Sequence, residues 1–292
     1  MKLHLRTIAV RNACYRLVTL RPHTEIAFST NYYHDTWHIV SDSCGARLLA
    51  RLMWGLAYQR QPGTVVVVLG EHVQPTPFDA ERSAPILLAL ADRAEMDRRR
   101  LGALHRRLQR LGPPQCTLRW HTFGLDHALE QLAQKQNDGA RRYQDHDWLY
   151  WNDSKPLWNA EQMFRRGGFV CYCAPPAIMQ VQALRIAQMD PGAYGMDYHY
   201  LAHSNEGHGA DGEVQIFRDY DERRSAAASA RREVLPKAGI FADPHSLYDA
   251  IAARRDEILQ KRLCDRDHKS KAAKHSSAAR RRANRKLSTP MK

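Results

Sequence analysis

The sequence contains no uninterrupted apolar run approaching the roughly 20 residues that cross a bilayer, so no segment reads as transmembrane. It also lacks several short motifs that carry known chemistry. No GxGxxG and no GxxxxGKS or GxxxxGKT follows a candidate strand, which excludes the usual dinucleotide fingerprint and the P-loop. GxSxG is missing, against a serine esterase, and HExxH is missing, against a zinc protease. Cysteine is sparse, with six scattered over 292 residues, which implies reduced thiols. Cys171 and Cys173 have no second pair with which to complete a zinc cage and read as buried strand residues. The opening MKLHLRTIAVRNACYRL is broken by Arg6, Arg11 and Asn12, unlike a secretory signal, so cytoplasmic residence is the expectation.

Positive charge is abundant but unevenly placed. Of the net +13, residues 261–292 supply twelve Lys/Arg against Asp265 and Asp267, whereas residues 1–260 hold 32 Lys/Arg and 29 Asp/Glu. The body is near neutral and the C-terminal segment carries the field. Residues 265–292 are poor in large apolar side chains, so the composition predicts a disordered basic tail. Its partner would be a polyanion: DNA, RNA or an anionic membrane surface.

Periodicity predicts an α/β fold, a largely parallel or mixed sheet flanked by helices. Residues 1–22 read as an N-terminal β-hairpin joined at Arg11-Asn12, 23–220 as the α/β domain, 221–264 as C-terminal helices and 265–292 as the tail. Within the domain, strands are expected at Glu25–Ser29, Thr64–Leu69, Cys116–Phe123, Asp147–Trp151, Gly168–Cys173 and Glu213–Phe217. Helices are expected at Cys44–Tyr58, across Ser83–Leu111, at Leu125–Gln136 and at Pro175–Met189. Residues 31–43 (NYYHDTWHIVSDS) read as a polar, aromatic loop. TVVVVL is apolar throughout, as a strand covered on both faces must be. Ligands of such sheets collect where strands end, here at Ser29-Thr30-Asn31, Gly70-Glu71-His72, Thr122-Phe123-Gly124 and Asn152-Asp153.

One stretch concentrates chemistry. Residues 195–208 (GMDYHYLAHSNEGH) hold two carboxylates and three histidines, and the glycines around it argue for a loop. His199 and His203 are four apart and would share a helix face, as two metal ligands must.

The order of these pieces resembles the GT-A type of nucleotide-sugar glycosyltransferase over roughly residues 23–220. EIAFSTNYY followed by ARLLARLMWGLAYQ is similar to that family's first strand, polar loop and leucine-rich helix. PGTVVVVLGEH is similar to its second strand with the acidic residue near the nucleotide, and GARRYQDHDWLYWNDS to the approach to its metal motif. The resemblance implies nucleotide contacts at Thr30, Asn31, Glu71 and Asn152. It further implies a Mn²⁺ or Mg²⁺ ion held by Asp153 and by a histidine beyond the base, His203 or else His199 or His208, and Asp197 as the base that deprotonates the acceptor. The motifs depart from the family: Trp151-Asn152-Asp153 stands where Asp-x-Asp is usual, and Met196 stands where a first acid often precedes the base.

The chemistry asks for the same parts. A leaving diphosphate needs neutralising, usually by a divalent cation on oxygen ligands, and the acceptor hydroxyl needs a base. The expectation is therefore an enzyme moving a sugar from a nucleotide-sugar donor to an unidentified, anionic acceptor. Two alternatives stand beside it: a nucleic-acid-binding protein with an α/β scaffold and a basic tail, and a metal-dependent hydrolase built on the histidine stretch.

Overall fold

The computed structural model describes residues 1–94, 96–137, 155–203, 210–238 and 243–287, without the side chains of 135–137, 155–156, 203, 210, 238 and 266–287. In chain order the elements are β1 (Lys2–Val10), β2 (Ala13–Thr19), β3 (Ser29–Tyr33), β4 (Thr36–Ser41), α1 (Ser43–Ala57), β5 (Thr64–Val68), β6 (Ile86–Leu90) and α2 (Arg98–Leu108). There follow β7 (Cys116–Arg119), α3 (Phe123–Asn137), α4 (Lys155–Trp158), β8 (Gln162–Arg166), β9 (Phe169–Ala174), α5 (Pro176–Ala187), β10 (Met196–His203), β11 (Ala210–Phe217), α6 (Tyr220–Ala238) and α7 (Pro244–Leu287). No helix among the described residues is long and apolar enough to cross a membrane.

The fold is α/β with mixed sheets. One sheet has the order β7-β1-β2-β5-β6-β9-β8 and the other β10-β11-β4-β3. In the first, β2 runs parallel to β5 and β6 parallel to β9, but β5 and β6 are antiparallel. The chain divides into two compact units, one of residues 1–76 and 81–220, the other of 77–80 and 221–292.

The first unit shows why β5 is apolar at every position. Val66 and Val68 pack on one side with Leu49, Leu52 and Leu56 of α1 and Ile178 and Ile186 of α5. Val65 and Val67 pack on the other with Leu101, Leu104 and Leu108 of α2. Each strand residue alternates face, so helices on both sides require hydrophobic residues throughout. Cys171 and Cys173 fall on the α2 side, both buried. Asp42 starts α1 by accepting the Gly45 amide at 2.7 Å, the role its sequence position suggests.

Several expectations change. The strand expected at Glu25–Ser29 begins only at Ser29, and the loop expected after it is the hairpin β3–β4. His34 and Asp35 take left-handed backbones (φ 48 and 59) in its tight turn, freeing the Tyr, Trp, Ile and Val residues around them to form strands. The long helix expected over Ser83–Leu111 is interrupted by β6, whose five residues ILLAL are all buried. An apolar run of five fits a two-sided strand as well as a helix. Of the stretch read as a loop from Gly195, Met196–His203 is β10, antiparallel to β11. The strand expected at Asp147–Trp151 lies outside the described residues.

A short hairpin, β8–β9, turns at Gly167 and Gly168, with φ of 61 and 94. A Cβ on Gly167 would come within 2.6 Å of the Gly102 backbone nitrogen, so this turn and α2 meet backbone to backbone. In the second unit, Arg254 of α7 donates to Glu233 of α6 at 2.7 Å and to Glu257 at 2.6 Å. Arg255 of α7 donates to the Phe78 carbonyl at 3.0 Å. The α7 backbone runs helical to Leu287, where Ala, Lys and Arg, all good helix formers, predominate.

One buried polar cluster links the first unit's two sheets. Glu161 Oε1 accepts from the Tyr172 hydroxyl of β9 and from Gln182 Nε2 of α5, both at 2.7 Å. Gln182 Oε1 faces outward to His199 Nε2 of β10 at 2.6 Å. Burial raises the Glu161 pKa, while hydrogen bonds from Tyr172, Gln182 and the Ala202 amide oppose the shift. Because the folded pKa is raised, the protonated form is the better fit, and stability is lost as pH rises through it. Glu161→Ala should cost roughly 3 kcal/mol or more, since it strands two buried donors. Glu161→Gln should keep the acceptor, and wild type should lose stability relative to it as pH rises above the ordinary carboxyl value of 4.5 in urea melts. Parallel pH profiles for the two proteins would rule this coupling out.

Candidate functional site

The carboxyl end of β5 leads into a single 3₁₀ turn, Gly70–His72. His72 is buried there, its ring nitrogens 3.3 Å from the Ile26 carbonyl and 3.2 Å from that of Arg21. Glu71 stays exposed, with Oε1 accepting the His23 amide at 3.0 Å. Gly70 has φ 65, and a Cβ there would meet nothing within 4 Å: the backbone at this point borders open space.

That space is a cleft of about 520 Å³. Its polar walls are Gln74, Arg82, Ser83, His105, Gln109 and Arg165, with the backbones of Gly70 and Gly168, and no carboxylate is among the residues lining it. Arg82 is exposed, with no hydrogen-bond or ion-pair partner among the described residues. Arg165 extends from β8 with its guanidinium 5.7 Å from the centre of the Trp37 ring. His105 stands one turn from the end of α2, edge-on to Phe169 with centroids 5.1 Å apart. Burial, and then the positive charges of Arg82 and Arg106, lower its pKa. A bound anion would oppose those charges and favour the imidazolium.

A smaller cleft of about 250 Å³ shares Leu69 and Gly70 with the first and is lined by His4, Arg6, Thr19 and Glu71. Arg6 is already tied there, to the Gly112 carbonyl at 3.0 Å and Thr19 Oγ1 at 3.1 Å.

Of the residues singled out in the sequence, Glu71 lines the smaller cleft directly. Thr30 sits behind the larger one. Its hydroxyl donates to the Ala84 carbonyl (3.0 Å) and accepts the Ala84 amide (2.8 Å), and its own amide donates to Ser83 Oγ (3.0 Å). Buried Thr30 thus clamps the segment that carries Arg82. Asn31 lies on the four-stranded sheet, where its Oδ1 is 3.1 Å from His38 Nδ1. The other ring nitrogen of His38 is 3.9 Å from Glu213 Oε2, and both residues are buried.

Asp197 lines neither cleft. Its two oxygens accept the backbone amides of Asp190 and Tyr198, both at 2.9 Å, and so fasten the turn that enters β10. Asn152 and Asp153 lie outside the described residues, and of His203 only the backbone, in β10, is described. Among the described residues, no group of three or more His, Cys, Asp or Glu side chains is placed to hold a metal ion. His199 is engaged with Gln182.

Arg82, His105 and Arg165 are the residues that sequence reading passes over. They come from a loop, a helix and a hairpin far apart in the chain. The local signal was the Gly167-Gly168 pair, a two-residue hairpin turn that would have placed β8, and with it Arg165, beside β9. Searches against protein families, curated proteins and solved structures each find no match to this chain.

Burial holds the His38 pKa down at about 4, with the charge of His34 adding to the effect. Between that value and the ordinary 6.5 the unfolded chain takes up a proton that the folded chain refuses. His38 therefore contributes stability that is present above pH 6.5 and lost as pH falls towards 4, on the order of 3 kcal/mol. His38→Gln should flatten the decline between pH 7 and 4.5 in denaturant titrations. A decline of the same size in the variant would assign it to other groups.

Proposed function

We propose that this chain binds a phosphate-bearing ligand of nucleotide size in the cleft at the end of β5. The observation that carries this reading is the wall itself: Arg82, Arg165 and His105 around an open backbone at Gly70, without a carboxylate. Arginine forks match phosphate oxygens, and amide side chains such as Gln74 and Gln109 can bond a sugar or base without adding charge.

The enzymatic form of the proposal is a glycosyltransferase that takes a nucleotide sugar, with Glu71 at the rim. It rests on the resemblance in strand order and on the phosphate character of the cleft. Mn²⁺ or Mg²⁺ would neutralise the diphosphate through Asp153 and His203. Isothermal titration with nucleoside diphosphates and nucleotide sugars, with and without Mn²⁺, tests it. Each of Arg82→Ala and Arg165→Ala should weaken binding about tenfold, the worth of one charge-assisted hydrogen bond. Both arginines are exposed, so melting temperatures should hold. Unchanged affinity in the double variant would remove the cleft from consideration.

A second reading is favoured by α2. Its exposed Arg98, Arg99, Arg106 and Arg107 extend the positive charge beyond the cleft, and residues 261–292 add more. A nucleic acid strand would use both. Deleting residues 265–292 should then lower the slope of log affinity against log salt in anisotropy titrations, because fewer phosphate contacts release fewer counterions on binding. A slope that survives the deletion would place the contacts on the body alone.

A further inference from the structure

We propose that Tyr32 and Trp37 form a stacking platform for a nucleobase whose phosphate lies in the cleft at the end of β5. The inference rests on the reading of that cleft as a phosphate site and names the rest of the ligand: a nucleotide, free or within a single strand. Tyr32 of β3 and Trp37 of β4 stand directly opposite each other across their hairpin. Their ring centroids are 4.7 Å apart, with the planes tilted by 41°. The tight turn at His34 and Asp35 fixes this register, so the platform exists before any ligand arrives. Trp37 packs half-buried against the core, whereas Tyr32 is 53% exposed. The outer ring of the pair is the one left to solvent.

Two connections tie the pair to the cleft. Alternate residues of a strand share a face, so Tyr32 lies on the face of β3 that carries Thr30. The Thr30 hydroxyl is bonded to Ala84, a residue of the cleft wall. The second connection is Arg165, which lines the cleft and also sets its guanidinium 5.7 Å from the centre of the Trp37 ring. From the cleft the contacts run in the order Arg165, Trp37, Tyr32. That order matches the two chemistries of a nucleotide, since a guanidinium fork takes phosphate oxygens and a flat exposed ring takes a base. Charge sets the polarity. The Tyr32 hydroxyl donates to Asp35 Oδ1 at 3.4 Å, and a carboxylate at that end of the platform repels phosphate while leaving a neutral base unopposed.

Isothermal titration of the full chain with pyrophosphate, ribose 5-phosphate and adenosine diphosphate, each with and without Mn²⁺, tests the proposal. Adenosine diphosphate should bind about tenfold more tightly than either base-free probe, the worth of one stacked base. Tyr32→Ser should remove that advantage and leave the pyrophosphate affinity unchanged, which also reports an intact cleft. Tyr32→Phe should keep it. Tyr33→Ser, on the opposite face of β3, should change nothing. A single-stranded oligoadenylate separates the two sources of the base: Tyr32-dependent binding tighter than that of the diphosphate assigns the platform to a strand, and binding no tighter assigns it to the free nucleotide. Pyrophosphate bound as tightly as adenosine diphosphate overturns the platform and leaves the phosphate reading of the cleft standing. Absence of binding by every probe removes both. An equal loss from Tyr33→Ser overturns the platform too, because the effect would then belong to the hairpin's folding. So does a ribose 5-phosphate affinity that falls with Tyr32, because the ring would then pack on the sugar.

Discussion

Everything in the first unit converges on one carboxyl group. Glu161 stands at the head of β8, and its Oε1 receives hydrogen bonds from β9 and α5 together. The amide of Gln182, fully buried, has two ends: its nitrogen is committed to Glu161, so its oxygen must face His199 on β10. Buried polar groups without partners cost far more than a typical hydrogen bond gains, so these four side chains have to be placed together or not at all. A one-residue slip of α5 or β10 would break the chain of contacts. The two sheets are locked to each other by polarity, within a core that hydrophobic burial alone would let slide.

The cleft depends on similar clamps rather than on the charges that define its chemistry. Thr30 and Ser83 fix the segment before β6, which fixes Arg82. The Gly167-Gly168 turn presses against Gly102 of α2, and a Cβ on Gly168 would lie 3.0 Å from the His105 ring. His105 is therefore placed by the absence of side chains at the hairpin tip. The arginines remain at the surface because their supporting residues, not they, carry the packing.

Local pattern revealed some of this and concealed the rest. α1 was readable from the leucines of ARLLARLMWGLAYQ, β5 from an unbroken apolar run, and β1–β2 from two β-rich segments around Arg11-Asn12. β6 was not, since ILLAL has no period of its own and follows a segment that also reads as helix. β10 was obscured by the glycines around it, which read as a loop until alternation assigns Leu201 to the core and the tyrosines to the surface. The direction of β6 relative to β5 is a tertiary property that no local pattern carries. Among the site residues, Glu71 could be placed because it follows a strand directly. Thr30 stands behind the wall of the larger cleft, tied to Ser83 and Ala84. Arg82, His105 and Arg165 come from segments far apart in the chain, and the Gly167-Gly168 turn that pairs β8 with β9 is the one local signal of their meeting.

The six thiols divide into two populations with different access to solvent. Cys14, Cys44, Cys116 and Cys264 are exposed, while Cys171 and Cys173 sit side by side on the α2 face of β9. Burial pushes both buried thiols upward, Cys173 to about 12, so neither is a thiolate nucleophile while the sheet is closed. An alkylating reagent would consume the first four promptly and reach the last two only when α2 lifts from the sheet. The molecule thus contains an internal clock for its own opening, placed on the strand next to β8.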